Sequence, residues 1–187
     1  MNYLIKNGTV ILPDEDRMVK ADLLCKNGKI EKLVENGKVF ETKTLEDEFS
    51  GEIIDADGLY IAPGLIDVHS HFRDPGFTQK EDIYTGAKAA YKGGFTTVVL
   101  MANTKPTVDN IETLKYVLDK GKETGINVYT CATVTENMAG EKMTDMDQLF
   151  NAGAIGFTDD GKPIMDEELV RNAMKKVSEL NLPISFH

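Results

Sequence analysis

The sequence predicts an α/β protein in which a small all-β module precedes a parallel sheet with crossover helices. Three observations carry this. The first sixty or so residues break into short strand-like runs around Asn-Gly and Asp-Gly pairs. From residue 61 onward, apolar runs of strand length alternate with helix-like segments. Those later runs are apolar on both faces, as strands are when helices cover both sides, which fits an open sheet or a (β/α)8 barrel.

In the first part, Tyr3–Lys6 and Thr9–Leu12 flank Asn7-Gly8, and Ala21–Cys25 and Lys29–Val34 flank Asn27-Gly28. Ile53–Asp55 and Leu59–Ile61 flank Asp57-Gly58. Each pair supplies the positive φ angles of a two-residue hairpin turn, so three hairpins are expected. Glu35–Glu52 is polar and acidic and reads as a loop or insertion.

In the second part, Ile61–His71 reads as a strand and Thr78–Lys92 as a helix, with Thr78 as N-cap and Gly93-Gly94 as its stop. Lys80, Glu81 and Asp82 fall in its solvated first turn. Phe95–Asn103 is a strand, and Ile111–Thr124 is a helix after Asp109-Asn110, ended by Gly125. Ile126–Thr135 is a strand, Met146–Asn151 a short helix and Ala154–Thr158 a strand. Glu167–Leu180 is a helix opened near Asp166, and Pro183–His187 begins a fifth strand. Five strands do not close a barrel of eight, so 1–187 is expected to be the N-terminal part of a longer polypeptide. Residues 1–61 form the β module and 62–187 the first part of the parallel array.

Composition narrows the function classes. A hydrophobic content of 41% and a charged content of 28% are those of a globular protein, and no apolar run approaches the roughly 18 residues that span a bilayer. The start, MNYLIKNG, lacks the marks of a signal peptide. Cys25 and Cys131 form no CxxC pair, which fits a reducing cytoplasm. A net charge of −10 argues against nucleic acid or an anionic membrane as partner. A small anionic substrate stays open, because one local Arg can outweigh the global field.

The chemistry concentrates in "APGLIDVHSHFRDPG", Ala62 to Gly76. The chain has 3 histidines, and His69 and His71 stand here at i and i+2, which places both on one side of a strand. They fall at its C-terminal end, where barrels build their sites. Asn103 ends the second strand in "LMANTKP", Asp159-Asp160 the fourth in "GFTDDG", and His187 the fifth in "PISFH". Imidazoles and a carboxylate gathered at strand ends are a divalent-metal set that favours zinc.

"GLIDVHSHFRDPG", "GGFTTVVLMANTKP", "GFTDDG" and "ISFH" together resemble the dihydroorotases of the amidohydrolase superfamily. The likeness runs through nearly the whole chain, including "LIKNG" and "APGLID". It implies a (β/α)8 TIM-type barrel, of which about five βα strands lie here, beside a small N-terminal β-sandwich module built partly from residues 1–61. It implies two zinc ions per full-length chain, held by His69, His71, Asp160 and His187. Asp160 would bridge them as the ligand shared with the nucleophilic hydroxide, and Asp159 would orient the loop. Arg73, Asn103 and His71 would hold the substrate carboxylate; the plainer role for Arg73 is a pairing with Asp74 inside an Asp74-Pro75-Gly76 turn. A general acid/base Asp and a further zinc His would lie beyond residue 187.

The implied activity is the zinc-dependent reversible cyclisation of N-carbamoyl-L-aspartate to L-dihydroorotate in de novo pyrimidine (UMP) biosynthesis. The implied partner is that small substrate, with no nucleic acid and no membrane, and a homodimer is compatible with the likeness. This fragment alone is expected to be inactive. Hydantoinases, dihydropyrimidinases and allantoinases are the neighbouring alternatives, and a non-catalytic dihydroorotase-like scaffold subunit is another. The cyclic-amide hydrolases commonly bridge their metals with a carbamylated lysine on the fourth strand, and Ala154–Asp160 contains no lysine. One departure from the dihydroorotase pattern stands out. Ala102 replaces a proline, which frees the backbone before Asn103.

Overall fold

The computed structural model describes residues 2–35 and 49–186. The chain divides into two compact units, Met1–Pro63 and Gly64–His187.

The first unit is one mixed sheet. β1 (Tyr3–Leu12), β2 (Arg17–Lys26), β3 (Lys29–Glu35) and β4 (Glu52–Asp55) lie in the order β3-β2-β1-β4. β5 (Tyr60–Ile61) also pairs with β1. Val10, Ala21 and Leu23 form the buried centre, with Ile5, Leu12, Val19, Leu33 and Ile61 packed around them. Among the described residues this sheet is a single layer, so the second layer of a β-sandwich is not seen. Residues 36–48, most of the expected Glu35–Glu52 loop, lie outside the described residues.

Of the three expected hairpins, one forms. Asn27 and Gly28 take φ of 53° and 74° and close β2 onto β3, with Lys26 opposite Lys29. Asn7-Gly8 instead makes a bulge inside one continuous strand, where the register on β2 slips between Ile5 and Gly8. Asn7 is drawn into this role by partners far along the chain: its N–H donates to Asp22 Oδ1 at 2.7 Å, and its Nδ2 to Asp55 Oδ1 at 3.0 Å. Asp57-Gly58 is also no hairpin. β4 and β5 both run parallel to β1, so the turn is a jog along one edge of the sheet.

The second unit is a parallel βα array. Its strands are β6 (Leu65–Ser70), β7 (Phe95–Leu100), β8 (Asn127–Thr130), β9 (Phe157–Thr158) and β10 (Ile184–Ser185). Between them run α1 (Ile83–Lys92), α2 (Ile111–Lys122), α3 (Met146–Ala152) and α4 (Glu167–Glu179). β6-β7-β8 form one parallel sheet and β9-β10 a parallel pair. A parallel bridge from Ala132 to Phe157 joins them, so the strands neighbour one another in chain order. The core runs along the helix-facing side, with Ile83, Val98, Leu100, Leu114, Leu149 and Phe157 among its most buried side chains.

The helix starts follow local capping chemistry. Asn110, Asp145 and Asp166 each accept a hydrogen bond from a backbone N–H of the first turn. The first helix differs from expectation. It begins at Ile83, not near Thr78, because Asp82 and Thr85 form a reciprocal capping box. Residues 77–80 turn separately, with the Lys80 N–H donating to the Phe77 carbonyl. β6, β7 and β8 are shorter than the apolar runs because the last residues of those runs leave the ladder to form loops, whereas β9 loses the start of its run. Since the strands are parallel, these loops all gather at one end of the array.

Candidate metal centre

His69 sits in the last turn-out of β6 and His71 two residues on. Their rings lie 5.1 Å apart at an interplanar angle of 66°. Asp160 follows β9 with φ of 49°, a left-handed conformation that Asp tolerates better than most residues. Its N–H donates to Thr158 Oγ1 at 2.9 Å, which turns the carboxylate back over the strand ends. Asp160 Oδ1 then stands 3.3 Å from His69 Nε2 and 3.7 Å from His71 Nε2. One ligand atom from each of His69, His71 and Asp160 falls within 4.8 Å of the others.

These separations suit a metal. Two ligand atoms bound to one tetrahedral zinc at roughly 2.0–2.1 Å stand about 3.3 Å apart. Two imidazoles and a carboxylate are also a chemically apt donor set for that ion. The three residues present therefore fit a divalent cation.

Asn103 closes a ring around this point. It lies in the 102–108 loop after β7, with its Oδ1 3.1 Å from His71 Nδ1 and its Nδ2 donating to Asp160 Oδ2 at 2.5 Å. The freedom expected at Ala102 is absent: the residue is fully buried, and its carbonyl accepts the Val108 N–H at 3.1 Å. Core packing and this loop hydrogen bond hold the backbone that a proline ring would otherwise stiffen.

Asp159 and Asp160 divide their work sharply. Asp159 is 3% exposed, and its Oδ1 accepts the N–H groups of Val134 and Thr135 at 2.8 and 3.0 Å. The Thr135 hydroxyl donates to its other oxygen. Asp159 thus ties the loop after β8 to the end of β9, whereas Asp160 faces the imidazoles.

Arg73 is half-buried, two residues beyond His71. Asp74 does not pair with it. The Asp74 carboxylate is fully buried and takes the Tyr116 hydroxyl on Oδ1 and Lys120 Nζ on Oδ2, each at 2.8 Å. The Asp74-Pro75-Gly76 segment is therefore an anchored turn rather than a plain surface one. Gly76 has φ of 95°, and a Cβ there would stand 2.1 Å from the Lys105 carbonyl oxygen. Nothing local in the sequence marks this anchor, since Tyr116 and Lys120 lie on α2, 42 and 46 residues away. Asp67 is a further acidic group that the i, i+2 count puts on the face of His69. Hydrogen bonds from Ser70 and then from the His69 N–H hold the Asp67 carboxyl below the usual carboxylate range. His187 lies outside the described residues.

Two imidazoles and a carboxylate thus converge at the strand ends of a parallel βα array, a donor set suited to a divalent metal. The family of dihydro-orotase-like proteins matches residues 58–187, and the chain belongs to that family. It is 50% identical to the dihydroorotase of Clostridium acetobutylicum over 184 residues, covering 98% of this chain and 42% of the relative. Against the Clostridioides difficile dihydroorotase the identity is 53%, with the same coverage. The Aquifex aeolicus dihydroorotase is 43% identical over 188 residues, 100% of this chain and 42% of its own. The chain thus spans about 42% of the length of these curated relatives.

Among solved structures, the L-hydantoinase (dihydropyrimidinase) of Arthrobacter aurescens superposes with a TM-score of 0.77 at 20% identity, over 97% of this chain and 39% of that one. A dihydroorotase superposes with a TM-score of 0.60 at 12% identity, over 98% of this chain and 50% of that one. At these identities the likeness speaks for the fold alone. Among the described residues, no helix is long and apolar enough to cross a membrane.

Proposed function

We propose that the full-length protein is a zinc-dependent dihydroorotase, which interconverts N-carbamoyl-L-aspartate and L-dihydroorotate in de novo pyrimidine biosynthesis. One observation carries the reading. His69, His71 and Asp160 bring ligand atoms within 4.8 Å of one another in a chain about half identical to dihydroorotases. In this reading residues 62–187 are the first part of a (β/α)8 barrel, and residues 1–61 belong to a composite β-sandwich. His69, His71 and Asp160 would hold zinc, with His187 as a further ligand, and the acid/base Asp would come from beyond residue 187. The protein acts in the cytoplasm, and a homodimer is compatible with it.

Bound zinc would supply a Lewis acid and a nucleophilic water of lowered pKa. The chain's own groups do the rest. Arg73 offers a rigid two-pronged fork to the substrate carboxylate. Its freedom for that task is supported by the engagement of Asp74 with Lys120 and Tyr116. In this reading Asn103 and His71 share the substrate carboxylate with it. Asp159, buried and fully hydrogen-bonded, keeps the β9 loop in register so that Asp160 meets the histidines. Ala154–Asp160 contains no lysine, so no carbamate bridge is available on that strand.

The test uses full-length protein, with zinc content and ring opening measured on dihydroorotate, dihydrouracil and hydantoin side by side. The expected result is close to two zinc ions per chain and a kcat/KM for dihydroorotate far above the others. A His69→Ala/His71→Ala double variant should lose metal. Unchanged metal content in that variant, or preference for hydantoin or dihydrouracil, would overturn the proposal.

A further inference from the structure

The side-chain amide of Asn103 touches two of the three converging ligands at once, and hydrogen-bond chemistry dictates which way round it sits. Asp160 Oδ2 is a carboxylate oxygen and can only accept, so the group 2.5 Å from it must be the donating Nδ2. That leaves Asn103 Oδ1 facing His71 Nδ1 at 3.1 Å. An amide oxygen can only accept, so the hydrogen of a neutral His71 ring must be on Nδ1. Nε2 of the same ring then carries a lone pair. It points toward Asp160 Oδ1 at 3.7 Å, another acceptor, with no hydrogen to share between them. Two lone pairs facing each other across such a gap are satisfied by a cation placed between them.

From this we infer that Asn103 is a positioning residue of the metal centre: it sets the His71 tautomer and holds Asp160 so that Nε2 and Oδ1 converge. The inference rests on the reading of His69, His71 and Asp160 as ligands, and it adds a role to Asn103 distinct from contact with substrate. Three local features make the amide a stiff bridge. The Ala102 carbonyl is tied to Val108, Ala102 is buried, and Thr104 Oγ1 donates to the Pro106 carbonyl at 2.7 Å. The bridge also distinguishes the two oxygens of Asp160. Oδ2 is the oxygen gripped by the amide, and Oδ1 is the one presented to both imidazoles. Partners of this kind, which orient a ligand through its far nitrogen, typically change metal affinity by roughly 10–100-fold when removed.

The test has two arms on full-length protein. In the first, nitrogen-15 NMR of the metal-stripped wild type reads the His71 tautomer. Hydrogen on Nδ1 is expected, and hydrogen on Nε2 would overturn the inference without any variant being made. In the second, Asn103→Leu and Asn103→Ala are compared with wild type by chelator competition for zinc, and the same NMR signal is followed in each. The expected result is zinc affinity weaker by roughly 10–100-fold, with His71 no longer held in one tautomer. A rise in KM for dihydroorotate with zinc affinity and tautomer unchanged would mean that Asn103 serves substrate alone. Failure of the wild type itself to bind zinc would strike the metal reading, and the tautomer would still decide the placement of the amide.

Discussion

Lys120→Met should destabilise the βα unit by about 3 kcal/mol, because it unpairs the buried Asp74 carboxylate. Asp74 is fully buried, and its two oxygens are met by Tyr116 and by Lys120, whose side chain is 28% exposed. The substitution keeps most of the lysine stem's packing but removes the only cation paired with Asp74 among the described residues. Leaving one partner of a buried pair charged and unpaired costs about 3–5 kcal/mol. Water that reaches the partly exposed Lys120 site puts the loss at the lower end of that range. Urea unfolding of full-length protein, followed by circular dichroism, reads the difference. The double variant Asp74→Leu/Lys120→Met supplies the control, because replacing both partners with apolar groups is often neutral, and it should recover most of the loss.

The pH dependence gives a second check on the same pair. The Lys120 ammonium is held above its ordinary range by its hydrogen bond to Asp74, and then by that to Tyr116. A raised folded-state pKa means that the contribution is complete below the unfolded value, near 10.4, and fades as pH climbs through the folded one. The stability gap between wild type and Lys120→Met should therefore stay flat through neutral pH and close only above about pH 10.4. A single-variant loss below about 1 kcal/mol, or a double variant no better than the single, would show that the pair does not support the loop as its geometry implies.

Three further outcomes are expected. Arg73→Met should leave zinc content and melting temperature unchanged while kcat/KM for dihydroorotate falls by at least about 3 kcal/mol of transition-state stabilisation; activity within a few-fold of wild type would make Arg73 structural. Asp159→Asn should lower stability by about 1–3 kcal/mol with metal retained, since an amide cannot accept all the bonds that Val134 and Thr135 now donate. Asp160→Ala should lose metal with little change in stability, and an exchange of these two phenotypes would mean that the neighbouring aspartates have been assigned the wrong way round.

Much of the array was legible in the chain itself because it depends on short-range rules. Asn110, Asp145 and Asp166 cap helices through bonds to residues two or three positions on, and such signals survive in sequence. Asn27-Gly28 closes its hairpin because both residues tolerate positive φ, and the one distant bond described for it, from the Asn27 N–H to Asn2 Oδ1 at 3.3 Å, leaves that turn in place. Asn7-Gly8 has the same letters but bulges, since Asp22 and Asp55 claim its polar atoms. The start of α1 was misplaced for a related reason. Thr78 looks like a cap, but the reciprocal bonds of Asp82 and Thr85 are stronger than a lone hydroxyl.

The pairing of His69 with His71 needed nothing beyond the two-residue period of a strand, and the placement of polar groups at one end of the array followed from strands that all run the same way. The meeting of His71, Asn103 and Asp160 depends on loops contributed by β6, β7 and β9, and no local rule sets a distance across 57 residues. The same holds for Asp159, whose burial depends on the Val134–Thr135 backbone, and for Asp74, whose partners lie on α2. Periodicity and capping act along a few residues of chain. Which of two adjacent carboxylates faces the imidazoles, and which arginine stays free of its neighbouring aspartate, is decided by the packing that brings distant donors to the same buried oxygen atoms.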